Sequence, residues 1–236
     1  MSTEHRITVI IPCLNEEANI RDHVRGVFDA GSTLPDGASL QAVIVVDNGS
    51  TDGTVEEAAE AGARVVLEPE RGYGRACMTG ALSADGTDVL VFMDGDRSDD
   101  PAELPIVVLP LLHGVADLVV GSRLQGSLQP GALATQQRFG NWLGRQGLSR
   151  LYGIHLTDFG PFRAIRRADL LSLDMQEMTY GWPIEMIARA AKADLRVVNV
   201  PVSWRRRAGG ESKVSGDLKA SLKTGYRYGS TLVRCR

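Results

Sequence analysis

Four aspartates, Asp94, Asp96, Asp99 and Asp100, crowd the turn that follows the apolar run VLVFM. Carboxylates this close repel one another, so a positive group is expected between them. Asp94 and Asp96, with Gly95 between them, present two oxygen-donor side chains from one turn. Together with two phosphates of a ligand they would form an oxygen cage for Mg2+ or Mn2+. The competing reading is structural. Asp99, Asp100 and Pro101 have the pattern of a helix N-terminus, and an acidic turn caps such a helix.

Other residues extend the same chemistry. Asp47 also ends an apolar run, and the loop after it, DNGSTDGT, has small residues whose backbone can approach a ligand closely. An acid there can accept from a base or a ribose, or can simply make an Asx turn. RGYGRACMTG lacks the third glycine of a dinucleotide fingerprint and follows no strand directly, so it reads as a helix start beside a phosphate, or a plain glycine turn. Arg71 or Arg75 would add charge there. RRRAGGESK places four cations around a Gly-Gly hinge, which suits a loop folding over a diphosphate, or a mobile basic loop. Glu185, on an otherwise apolar helical stretch, is either a salt-bridged structural group or a functional acid.

The elements that must hold these groups are predicted from periodicity. RITVIIP is a buried strand, and Asn15 is predicted to cap a helix carrying Glu16 and Glu17 in its first turn, with Ile20, Val24, Val27 and Phe28 on its apolar face. AVIVVD, ARVVLE and DVLVFMD are further strands, separated by a short helix ending near Gly62 and by the helix GRACMTGALSA. ADLVVGSR adds a strand, residues 129–152 read as helical, GPFRAIRR is a short strand or turn, WPIEMIARAAKA is a helix and LRVVNVPVSW is extended. Such alternation predicts an α/β fold, a single domain with a mainly parallel central sheet and helices on both faces. Ligands of these sheets sit outside the carboxyl ends of the strands, the edge at which Asp47 and the acidic turn lie. Residues 1–215 form that domain, and residues 216–236 a basic amphipathic tail with Leu218, Leu222 and Tyr226 beside Lys219, Lys223 and Arg227.

Composition bounds the function. With 236 residues, 43% hydrophobic and 23% charged, the chain reads as soluble and globular. It contains no apolar run long enough for a membrane span, and its N-terminus does not read as a signal peptide. Cys13, Cys77 and Cys235 have no pairable or zinc-like spacing, which suits a cytoplasmic protein. The four histidines are scattered and suggest neither a metal site nor a Ser-His-Asp triad. From Pro201 onward nine bases face only Glu211 and Asp217, a surplus of +7 that leaves −10 on the rest of a chain of net charge −3. A basic tail on an acidic body points to a phosphate-bearing or membrane-surface partner, with a solvated charged face as the plain alternative; nothing points to nucleic acid. The tail would cover an apolar surface of the domain, of a second subunit in a homo-oligomer, or of a membrane.

VIIPCLNEE, VIVVDNGSTDGT, GYGRACMTG, MDGDRSDDP, VVGSR, DFGPFRA and RAGGESKVS occur in the order found in family 2 glycosyltransferases of the GT-A (Rossmann-like) fold. Within that family the chain most resembles dolichyl- or polyprenyl-phosphate mannose and glucose synthases, over almost its whole length. The resemblance implies a metal-dependent, inverting transfer of a hexose from a UDP- or GDP-sugar to a polyprenyl phosphate, with a hydroxyl acceptor as the alternative. It implies that Pro12, Asn15 and Glu16 line the nucleotide pocket, that Asp47 holds the base, and that Arg71 and Gly74 lie nearby. Asp94, Gly95 and Asp96 would be the Asp-x-Asp segment binding ribose, diphosphate and Mg2+ or Mn2+. Arg123 would lie near the phosphates, Asp158 and Glu185 on the acceptor side, and Arg207 and Lys213 in a loop closing over the donor. Three features depart from the pattern: Asn48 replaces a second acid after Asp47, Ser98 stands where a glutamine is usual, and the sequence runs to Arg236 where many relatives continue into membrane helices. A nucleotidyltransferase, which would need a Gly- and Arg-rich loop after the first strand, and a non-catalytic nucleotide-binding or membrane-docking protein are the rival readings; the protein is expected in the cytoplasm or peripherally at the inner face of the membrane.

Overall fold

The computed structural model describes residues 4–207 and 227–236. Seven strands form one sheet: β1 (His5–Cys13), β2 (Ala38–Asp47), β3 (Arg64–Leu67), β4 (Val89–Phe92), β5 (Leu118–Ser122), β6 (Arg163–Arg166) and β7 (Val197–Pro201). Their order across the sheet is β3-β2-β1-β4-β6-β5-β7. All pairings are parallel except those of β6, which runs antiparallel to β4 and β5. The chain steps from β1 outward to β2 and β3 and then returns to the other side of β1 with β4. That reversal opens a crevice between the carboxyl ends of β1 and β4, where open α/β sheets place their ligands.

Helices cover both faces. Ile7, Val9 and Ile11 of β1 point into the layer packed by α1 (Glu17–Gly31) and α4 (Leu104–Leu112). Ile10 points into the opposite layer, which is closed by α3 (Tyr73–Ser83), α5 (Thr135–Tyr152) and α7 (Trp182–Lys192). Two short helices, α2 (Thr54–Glu60) and α6 (Arg167–Ser172), lie between these elements, and residues 227–234 are also helical. Burial on both faces explains why the β1, β2 and β4 segments read as continuous aliphatic runs rather than alternating ones.

Local predictions hold with three corrections. α1 begins at Glu17, and Asn15 does not cap it. Asn15 sits at φ +51°, a left-handed conformation asparagine tolerates, and its side-chain oxygen accepts from Thr51 N at 2.8 Å, so it ties the β1 loop to the β2 loop. Residues 129–134 are not helical, and α5 starts at Thr135, where Gln137 reaches back to accept from Ala134 N at 2.9 Å. Phe28 is exposed on α1, whereas Ile20, Val24 and Val27 are buried.

Leu218, Leu222 and Tyr226 of the amphipathic tail lie outside the described residues. The last ten residues pack on the domain. Leu232 and Cys235 join its core, Tyr228 stands edge-on to Phe159 with 5.3 Å between ring centroids, and Tyr152 Oη donates to Leu232 O at 2.5 Å. Arg227 and Arg234 both pair with Glu177. Among the described residues no helix is long and apolar enough to cross a membrane.

Candidate active site

A cavity of about 530 Å³ opens at the carboxyl ends of β1 and β4. Pro12, Cys13 and Glu16 approach it from the end of β1, and Asp94, Gly95 and Asp96 from the turn after β4. Arg71, Arg123 and Arg207 supply its positive charge, and Tyr73, Tyr180, Phe159, Trp204 and Tyr228 its aromatic walls. Gly95 is needed for space, because a Cβ there would lie 2.6 Å from Cys13 Sγ.

The acidic turn divides its side chains between the start of a helix and the cavity. Asp100 accepts from Ala102 N at 3.2 Å and starts the 3-10 turn Pro101–Glu103 that leads into α4. Asp99 is buried, and one of its oxygens accepts from Asp94 N at 3.2 Å while the other finds no hydrogen-bond partner among the described residues. Asp94 and Asp96 face the cavity. Tyr73 Oη donates to Asp94 Oδ1 at 3.1 Å, and Ser98 donates to Asp96 Oδ1 from both its hydroxyl and its backbone N–H. Burial, and then the nearby Asp96, push the Asp94 carboxyl up to about 7. Burial, and then Asp94, likewise hold Asp99 well above the usual carboxylate range.

This donor set suits a divalent cation. Two carboxylates open to the cavity, one of them held protonated to near neutrality by its burial and by the other's charge, leave room for added positive charge between them. Among the described residues no group of three or more His, Cys, Asp or Glu side chains forms a complete metal cage. A cation on this pair would draw its remaining oxygens from a bound ligand and water, as Mg2+ commonly does.

Three arginines carry the opposite charge. Arg207 pairs with Asp96 at 3.0 Å and with Glu16 at 3.2 Å. Arg71 donates to Gly49 O at 2.9 Å. Arg123 grips Asp158 through Nε and Nη2 at 2.7 and 2.8 Å and through its backbone N at 2.9 Å, while its guanidinium lies 4.9 Å from the Trp204 ring centroid. That fork leaves a rigid cation on the cavity wall.

Five of the expected site residues do not line the cavity. Asp158 does not line the cavity: fully buried, it accepts from Arg123, from Asn141 Nδ2 at 2.6 Å and from Phe159 N at 2.8 Å, which commits its lone pairs to holding Arg123. Glu185 is also buried outside the cavity, accepting from Glu177 N at 2.7 Å, Gln176 N at 3.1 Å and Arg189 Nε at 2.8 Å. Its salt bridge to Arg189 fits the structural one of its two readings. Asp47 turns its carboxylate onto the backbone N–H groups of Gly49 and Ser50, the Asx-type turn of its alternative reading. Gly74 is a packing glycine, since a Cβ there would meet Glu177 O at 2.4 Å. Asn15 ties two loops together, as above, and Lys213 lies outside the described residues.

Asn48 takes the place in the cavity expected for Asp47. Its Nδ2 donates to Glu68 O and Glu70 O at 2.9 and 2.8 Å, and its Oδ1 accepts from Gly72 N at 2.7 Å. Only an amide can donate and accept in this way, so the departure at Asn48 fixes the loop that carries Arg71. The aromatic wall was missed because Tyr73, Tyr180, Trp204 and Tyr228 come from separate segments. Tyr73 within GYGRAC was the one available signal.

The profile described as Glycosyl transferase family 2 matches residues 8–173. An uncharacterised glycosyltransferase of Mycobacterium tuberculosis (strain ATCC 25618 / H37Rv) is 38% identical over 225 residues, covering 92% of this chain and 93% of that protein. The undecaprenyl-phosphate mannosyltransferase of Micrococcus luteus is 34% identical over 228 residues, covering 90% and 89%. Among solved structures, glucosyl-3-phosphoglycerate synthase from Mycobacterium tuberculosis in complex with Mn2+, UDP and glucosyl-3-phosphoglycerate superposes with a TM-score of 0.76 at 28% identity, over 98% of this chain and 80% of that one. The same synthase with Mg2+ and UDP gives a TM-score of 0.76 at 27% identity, over 98% and 79%.

Proposed function

The chain belongs to glycosyl transferase family 2, and from that premise we propose that it moves a hexose from a UDP- or GDP-sugar, with inversion, onto the phosphate of a polyprenyl lipid. The observation that carries the acceptor class is the engagement of Asp158 and Glu185. A hydroxyl acceptor needs a base, and both acids expected on the acceptor side are saturated by buried hydrogen bonds. A phosphate oxygen is already ionised and needs none. The resemblance to the undecaprenyl-phosphate mannosyltransferase supports the same acceptor.

In this reading the phosphate oxygen attacks the anomeric carbon from the face opposite the diphosphate. The bond from that carbon to the diphosphate oxygen breaks, and the nucleoside diphosphate leaves with the electron pair. Asp96, with Asp94 beside it, would hold Mg2+ or Mn2+ against the diphosphate, where the ion neutralises the developing charge. Arg123, braced by Asp158 and Trp204, contributes a fixed cation to the same end. Arg207 must exchange part of its hold on Asp96 and Glu16 for the diphosphate, and Lys213 would act with it in the closing loop. Pro12, Glu16, Arg71 and the loop pinned by Asn48 bound the nucleotide subsite.

A second reading rests on the solved structures. The likeness to glucosyl-3-phosphoglycerate synthase over 98% of this chain favours a soluble phosphate-bearing hydroxy acid as acceptor. A panel of UDP- and GDP-sugars assayed with Mn2+ against a polyprenyl phosphate, phosphoglycerate and neutral hydroxyl acceptors separates the two. Transfer to the polyprenyl phosphate is expected. Transfer to phosphoglycerate alone would replace the first reading with the second.

A further inference from the structure

Helix α5 has two faces of different character. Gln137 lines the cavity, and Asn141, Gly144 and Leu148 follow it at helical spacing on the buried side, where Asn141 steadies Asp158. About 200° around the helix from Gln137, Phe139 begins a stripe continued by Trp142 and Leu143, with exposures of 63%, 50% and 46%. The Phe139 and Trp142 rings stack, 5.9 Å between centroids. A stacked aromatic pair and a leucine left in water are costly unless a partner covers them.

The charge around the stripe identifies the partner. Between Arg123 and Asp158 the chain contains Arg138, Arg145 and Arg150 and no acid, although its net charge is −3. Arg138 and Arg150 are exposed on the helix. Aromatic rings at headgroup depth, flanked by arginines whose guanidinium groups reach lipid phosphates, are the composition of a helix lying in a membrane interface. An acid-free rim complements an anionic surface.

We propose that the outer face of α5 docks the protein on an anionic membrane. This rests on the lipid-phosphate reading above, and it explains how the cavity would meet such an acceptor: the helix that contributes Gln137 to the cavity would itself rest at headgroup level. The docking surface is then part of the described domain and does not require the residues from Gly216 to Tyr226.

The test is co-sedimentation of the full chain with vesicles of phosphatidylglycerol and phosphatidylcholine, and with phosphatidylcholine alone. It is run beside a Phe139→Ser/Trp142→Ser variant whose circular dichroism is matched. The wild type should bind the anionic vesicles, its tryptophan emission should be quenched by brominated lipid, and the variant should bind at least about tenfold more weakly. Turnover on vesicle-borne polyprenyl phosphate should fall in the variant, while turnover on a short water-soluble polyprenyl phosphate stays unchanged. Equal vesicle binding by both proteins, or none by either, overturns the proposal. So does a dimer in sedimentation equilibrium that the double substitution dissociates, because the stripe would then be covered by a second copy. Anionic-vesicle binding that the variant loses, in a protein with no transfer to either lipid phosphate, sustains the docking surface and removes the acceptor reading instead.

Discussion

Arg207 holds Asp96 from one side, its Nε 3.1 Å and its Nη2 3.0 Å from the same carboxylate oxygen, while its Nη1 reaches Glu16 at 3.2 Å. The guanidinium is a resident cation on the carboxylate that, in the proposed reading, would hold Mg2+ or Mn2+. A metal binding there without nucleotide must compete with it. Arg207→Ala is therefore expected to tighten Mn2+ binding to the nucleotide-free protein several-fold in calorimetry. The same substitution should lower turnover by about a hundredfold, since the leaving diphosphate loses a cation. Weaker or unchanged metal binding in the variant would show that Arg207 and the ion do not share Asp96.

Metal binding should also depend on pH in a direction set by Asp94. Its carboxyl rises from 3.8 to about 7 through burial and the charge of Asp96, so between those values the metal-free fold keeps a proton there that an unfolded chain would release. A cation must expel that proton below about pH 7 and need not do so above. Mn2+ affinity is expected to fall by up to about tenfold per pH unit below 7 and to level off above it. Asp94→Asn, which cannot take up the proton, should bind more weakly with a flat profile. Calorimetry at three pH values in two buffers of different ionisation enthalpy reads both the slope and the proton release. A flat wild-type profile refutes the coupling.

How much of this was legible beforehand follows from the range of the forces involved. The mainly parallel sheet and the placement of Asp94 and Asp96 at its carboxyl edge could be read, because buried parallel strands carry aliphatic runs that end abruptly at the crevice; the order of the strands could not. The antiparallel β6 could not, since RAIR is four residues long and only its neighbours β4 and β5 fix its direction. Asp158 shows no partner in the sequence, and Glu185 leaves both a structural and a functional reading open there. Their partners Arg123 and Asn141, and Gln176, Glu177 and Arg189, become neighbours only when the chain folds, and those partners convert each acid into a structural acceptor. Asn48 was noticed as a departure but its work was not, because the carbonyls it holds lie 20 and 22 residues away.

That network makes Asn48 sensitive to a change of one atom. In Asn48→Asp a carboxylate would face Glu68 O and Glu70 O, turning two donated hydrogen bonds into contacts between acceptors, while only the bond from Gly72 N survives. The variant is expected to lose about 2 kcal/mol of stability in urea titration. It should also bind the nucleotide more weakly, because Arg71 follows the two anchored carbonyls. Wild-type stability together with wild-type nucleotide affinity would mean that the loop is held by something other than this amide.

His23 presents the converse case, a polar ring with nothing to bond. It lies on the buried face of α1, and neither ring nitrogen finds a hydrogen-bond partner among the described residues. Burial pushes its pKa from 6.5 down to about 4, so the folded protein keeps the ring neutral where an unfolded chain would protonate it. Protons then favour the unfolded state, and the stability lost grows as pH falls from 6.5 toward 4. The loss amounts to about 2 kcal/mol by about pH 5 and roughly 3 kcal/mol once both states are protonated. His23→Met, close in volume and without nitrogens, should be at least as stable as the wild type at about pH 7.5 and should lose about 2 kcal/mol less on moving to about pH 5. Urea titrations of both proteins at the two pH values decide it. An equal loss in both would exonerate the imidazole, and a marked drop in the variant at the higher pH would mean that its nitrogens have a partner after all.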